Sequence, residues 1–140
     1  MRQSILIVAL MPVLAIATPT GTVSASPLPQ SSAYMGSYSG YYTTSIGGGG
    51  TQKGAVAVTV GSNGVVAGVC VNNTVGLKGT ITGTINSRGE FFGTLTWNDG
   101  SVWDLRGTLR KTANGRLQGT VNQYARNGLF ASGHLDLPSI

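Results

Sequence analysis

From Ser37 onward, apolar and polar residues alternate with period two, and each run ends at Gly or Asn. That pattern marks half-buried strands joined by tight turns, and nothing in this part of the chain fits a 3.6-residue helical template. Eight strands are predicted, at Ser37 to Ser45, Lys53 to Val60, Val65 to Val71, Leu77 to Asn86, Glu90 to Trp97, Ser101 to Thr112, Arg116 to Gln123 and Leu129 to Leu137.

Five connections share one form: Ser62-Asn63-Gly64, Ser87-Arg88-Gly89, Asn98-Asp99-Gly100, Ala113-Asn114-Gly115 and Arg126-Asn127-Gly128. Each is expected to be a three-residue hairpin loop, a type I turn closed by a left-handed Gly. Parity supports this reading. A two-residue Asp99-Gly100 turn would set Leu95 and Trp103 on opposite faces, whereas a three-residue loop pairs Leu95 with Trp103 and Gly93 with Leu105, apolar against apolar. Asp99 is then a turn residue, and Trp97 and Trp103 belong to the inward face.

An apolar residue, a Gly and a second apolar residue recur at alternate inward positions, as in Tyr38-Gly40-Tyr42, Phe91-Gly93-Leu95 and Leu117-Gly119-Val121. An inward Gly weakens a strand, so its repetition points to sharp coiling or to a bulky neighbour filling the space. The registry sets Gly107 against Phe91, Gly119 against Leu109 and Gly68 against Val58, while Gly83 facing Gly93 is expected to leave a hole.

A meander of eight strands with short turns buries one face and removes its free edges by closing into an up-and-down antiparallel β-barrel, the predicted fold. A meander β-sandwich is the second choice and a parallel solenoid the third. The longer connections, Gly47 to Gly50 and Asn72 to Gly76, are the places where loop contacts with a ligand are expected.

Composition adds a leader. Met1-Arg2 followed by the uncharged run Ile5 to Ala17 has the form of a signal peptide, too short to span a bilayer and interrupted by Pro12. Cleavage after Ala17 or Ala25 is expected, giving a signal at 1–25, a flexible leader at 26–35 and a barrel domain at 36–140, with the protein secreted or periplasmic. Charged residues are only 9% of the chain, and without Arg2 the eight remaining basic residues outnumber the four acids for about +4. The single Cys70 excludes an internal disulfide.

Catalytic chemistry finds little support. Ser132, His134 and Asp136 alternate on one strand face, but alternate residues stand about 6.5 to 7 Å apart, and serine catalysis needs Ser–His contact near 3 Å. One His, one Cys and four scattered carboxylates do not make a metal site, and no cofactor is expected. Cys70 faces inward as a small apolar filler.

Three surfaces remain. The interior residues Tyr38, Tyr42, Phe91, Trp97 and Trp103 are candidates to hold a small apolar or aromatic ligand. Arg106, Arg110, Lys111, Arg116 and Arg126 form a basic patch with no acid between Arg106 and Arg126, a candidate for an acidic polysaccharide or lipid headgroup. Val65, Ala67, Val69 and Val71 make an outward apolar stripe suited to a partner protein or a second copy. Threonine and arginine rows on the other outward faces argue against a membrane-spanning barrel. The expected function is binding, without catalysis. The alternative is a structural or self-associating protein whose interior is a filled core.

Overall fold

The computed structural model describes residues 32–125 and 128–140; the expected signal peptide, together with Arg126 and Asn127, lies outside the described residues. Eight strands follow one another: β1 (Gly36–Ile46), β2 (Thr51–Val60), β3 (Val65–Asn72), β4 (Leu77–Ile85), β5 (Glu90–Trp97), β6 (Val102–Lys111), β7 (Leu117–Ala125) and β8 (Gly128–Leu137). They close in sequence order into an all-antiparallel up-and-down barrel.

The registers fix the barrel's size. Followed through Val60, Val66, Gly83, Gly93, Leu105, Gln123 and Ala131, the ladder that leaves Gly36 returns to β1 at Ile46, a shear of ten residues. Eight strands staggered in this way tilt by roughly 40° and enclose an interior that side chains can fill. The pairs Leu95–Trp103, Gly93–Leu105 and Phe91–Gly107 stand as parity requires.

Four connections are three-residue loops. In the third of them Trp97 N–H donates to the Ser101 carbonyl, Gly100 N–H donates back to Trp97, and Gly100 sits at φ 91°. The Asp99 carboxylate accepts the Ser101 N–H at 2.9 Å, which confirms its place in the turn. The fifth expected loop differs: Ala125 pairs directly with Gly128, so only two residues intervene, and Gly128 belongs to β8. A bulge between Gln123 and Tyr124 supplies the missing residue of register.

Closure between β1 and β8 runs from Tyr42–Leu135 to Ile46–Ala131. Pro138 lacks an N–H and interrupts it, yet the Pro138 carbonyl accepts the Ser39 N–H and pairing resumes at Tyr38–Ser139. A short 3-10 turn, Ser32–Tyr34, precedes β1, and Tyr34 packs against the core. The last residues of the segment expected as a flexible leader therefore belong to the folded unit.

Inward glycines let the strands coil tightly. A Cβ on Gly54, Gly68, Gly107 or Gly119 would run into a carbonyl oxygen of the neighbouring strand. The hole expected between Gly83 and Gly93 is absent, because the Phe91 ring covers both: a Cβ on Gly93 would stand 2.7 Å from Phe91 Cζ, and one on Gly83 would stand 3.0 Å from Cε1.

Candidate functional site

The two ends of the barrel are closed differently. At the lower end, where the described chain begins and ends, Tyr38 and Leu137 are 0% exposed. The Tyr38 hydroxyl donates to the Tyr34 carbonyl at 2.8 Å, and a Cβ on Gly89 would stand 2.7 Å from the Tyr34 hydroxyl. The Lys111 ammonium donates to the Met35 carbonyl at 3.2 Å and lies over the Tyr38 ring. This end is sealed by groups packed and bonded in place.

At the upper end gather the β1–β2, β3–β4 and β5–β6 connections, with the last residues of β7 and the first of β8. Asn72 anchors the second of these: its side chain donates to Gln52 at 2.8 Å and accepts the N–H groups of Thr74 and Val75. Trp103, half-buried, meets the Phe130 ring at a centroid distance of 4.5 Å, and Phe130 is 37% exposed. Buried Trp97 and Asn72 also stand at this end, and Phe130 is the exposed member of the aromatic pair there.

Between the ends is a cavity of about 80 Å³. Tyr42, Phe91 and Trp97 line it with Val56, Ile81 and Leu105. Of the five interior residues singled out from the sequence, these three reach the cavity, Tyr38 is part of the lower seal, and Trp103 lies in the upper aromatic pair. Sequence reasoning missed Thr44 and Gln123, which line the same space. Strand parity alone places both inward, with Tyr42 and Val121 as their in-phase neighbours, but a list chosen for apolar residues passes over them.

The polar atoms of the interior are few. The Tyr42 hydroxyl donates to the Val71 carbonyl at 3.3 Å. Thr44 is 2% exposed, and its hydroxyl has no hydrogen-bond partner among the described residues. Burial pushes the Cys70 thiol up to about 11. Burial, with repulsion from Cys70, pushes the Tyr42 phenol up to about 12.

A pH dependence follows with a definite sign. The unfolded thiol ionises near 9 and the folded one near 11, so stability is complete below pH 9 and falls as pH rises through this interval. Urea denaturation at stepped alkaline pH is the measurement. Cys70→Ala should flatten the first part of the decline and leave the part due to Tyr42, which begins near its ordinary value of 10.

The outer wall resolves the remaining candidates. Ser132 donates to Asn122 at 2.8 Å, His134 Nδ1 lies 3.3 Å from the Thr120 hydroxyl, and Asp136 accepts from Arg116 at 2.7 Å and from Gln118 at 3.2 Å. Each of the three is held by a neighbour on β7 and none by another of the three. The Arg116 and Gln118 hydrogen bonds hold the Asp136 carboxyl below its usual range.

The basic residues of β6, and Arg116 just before β7, are likewise engaged. Arg116 pairs with Asp136, Arg110 donates to Gln118 at 2.8 Å, and Arg106 lies over the Tyr124 ring. The acid that the hairpin lacks comes from β8. Arg126 lies outside the described residues.

On β3, Val65 and Val69 are 49% and 57% exposed and Ala67 is exposed, whereas Val71 is half-buried. Cross-strand pairing continues the stripe through Val71 to Ala55 and the exposed Tyr41. Among the described residues no helix is long and apolar enough to cross a membrane, and no three His, Cys, Asp or Glu side chains gather as a metal site would require.

No protein-family model matches the chain, and no curated protein matches it. Among solved structures it is similar to a de novo designed fluorescence-activating β-barrel, with 16% identity and a TM-score of 0.53 over 79% of this chain and 98% of the design. At that identity the likeness concerns the fold alone.

Proposed function

We propose that this chain is an exported, soluble, non-catalytic binding barrel that takes a small apolar molecule into its interior from the end closed by Trp103 and Phe130. One observation carries the reading: an apolar cavity of about 80 Å³ lies in a barrel whose lower end is sealed by fully buried, hydrogen-bonded side chains and whose upper end carries the partly exposed Trp103–Phe130 pair. Displacing Phe130, already 37% exposed, costs little packing, whereas opening the opposite end would strip fully buried Tyr38 and Leu137.

The cavity's size narrows the ligand. A cavity of about 150 Å³ admits benzene, and this one is about half as large. An aliphatic group fits better than the aromatic ligand also considered from sequence. The occupant is a short aliphatic molecule, or the end of a longer one that passes the aromatic pair. Export is supported by Met1-Arg2 and the apolar run Ile5 to Ala17. The fold shared with a designed fluorescence-activating barrel is compatible with a binding role. The test is native mass spectrometry of the protein isolated from its own host, in which an aliphatic molecule should remain bound.

A further inference from the structure

We infer that the interior selects a ligand carrying one hydrogen-bonding oxygen on its aliphatic body, a hydroxyl or a carbonyl, and that the Thr44 hydroxyl is the partner of that oxygen. The inference rests on the reading of the interior as a binding site.

Thr44 sits in the middle of the inner wall, in the β1–β8 seam opposite Gly133. It is 2% exposed, and its oxygen is the one buried side-chain polar atom without a hydrogen-bond partner among the described residues. Buried hydroxyls in folded proteins are nearly always paired, and an unpaired one calls for an explanation. Two local features keep it unpaired. Its cross-strand neighbour on β8 is a glycine, which offers no side chain, and a Cβ there would still be 3.5 Å from Thr44 Oγ1. Its neighbour on β2 is Gln52, whose carbonyl oxygen is taken by Asn72.

Water is a poor substitute. A buried water needs two to four polar partners. The other polar groups of the cavity wall are few: Gln123, the weakly polar Cys70 thiol, and the Tyr42 hydroxyl, which donates to Val71 and is left only an acceptor. A molecule that brings one oxygen and otherwise apolar surface satisfies both the hydroxyl and the wall. A pure hydrocarbon satisfies only the wall, and a polyol or a carboxylate would bury polar groups without partners. A volume of about 80 Å³ gives room for roughly three water-sized groups, as in a short-chain alcohol or ketone or the oxygen-bearing end of a longer chain.

The test compares acetone with 2-methylpropene, both smaller than benzene, the second having the same shape with a methylene in place of the carbonyl oxygen. Xenon serves as a probe of the cavity that is indifferent to hydrogen bonding. Binding is read from methyl NMR shifts of Val56, Ile81 and Leu105 in the folded protein. The wild type should bind the ketone about tenfold more tightly than the alkene, and Thr44→Val should abolish or reverse that preference while still binding xenon. Thr44→Ser, which keeps the hydroxyl, should restore the preference and covers the case in which the valine variant fails to fold. If xenon and both probes leave these methyls unmoved, the interior reading itself falls. If xenon binds but the ketone has no advantage, or keeps its advantage in Thr44→Val, the interior reading stands and the role of Thr44 is overturned.

Discussion

Gly107→Val is expected to cost at least about 3 kcal/mol of folding stability, the upper part of the range for overpacking. The reason is what surrounds the position. A Cβ on Gly107 would run into the Thr120 carbonyl and stand 2.9 Å from Val121 Cα. These are backbone atoms of the paired strand and cannot rotate aside as a side chain can, so β6 and β7 would have to separate. Gly133 provides the contrast. A Cβ there would meet the Val121 carbonyl at 3.2 Å and Thr44 Oγ1 at 3.5 Å, so Gly133→Ala should cost about 1 kcal/mol or less. Urea midpoints at constant m-value measure both. Equal losses at the two positions would contradict the view that strand-to-strand approach selects these glycines.

Phe91→Ala should cost about 3 to 5 kcal/mol and should also change what the barrel binds. Phe91 is 4% exposed, covers Gly83 and Gly93, and lines the cavity. Its removal both forfeits burial and merges the vacated space with the existing 80 Å³. The enlarged cavity should then accept benzene, which the wild type is too small to hold. Thermal unfolding with and without benzene reads both effects: a lower midpoint, and a benzene-dependent rise seen in the variant alone. A variant that loses stability without gaining that rise would mean that the strands collapse onto the vacated space.

Much of this architecture is legible in the alternation of residues, and the limits are physical. Leu95 opposite Trp103 follows from parity once a three-residue loop is assigned, because one inward face must stay apolar along both strands. The β7–β8 turn escapes the same reasoning. Its Asn-Gly signal resembles the other four, but the bulge at Gln123 and Tyr124 shifts register inside the strand, where no turn residue marks it. The lower seal is hidden too, since Tyr34 lies in a short Ser-Ala-Tyr-Met stretch without periodicity. Thr44 is a mixed case. Its inward direction is readable from Tyr42 two residues earlier, but its missing partner depends on Gly133 across the seam, and no sequence pattern reports which strand closes the barrel at which residue.

On this reading the interior, and not the outer wall, is the working surface of the barrel. Native mass spectrometry of the protein from its own host, under conditions gentle enough to keep a weak ligand, tests it most directly. The expected species is a monomer carrying the added mass of one oxygen-bearing aliphatic molecule, released when the protein is denatured. A clean ligand-free mass in an oligomeric series would contradict it, and would place function on the outward stripe of Val65, Ala67, Val69 and Val71 with the interior serving only as a core.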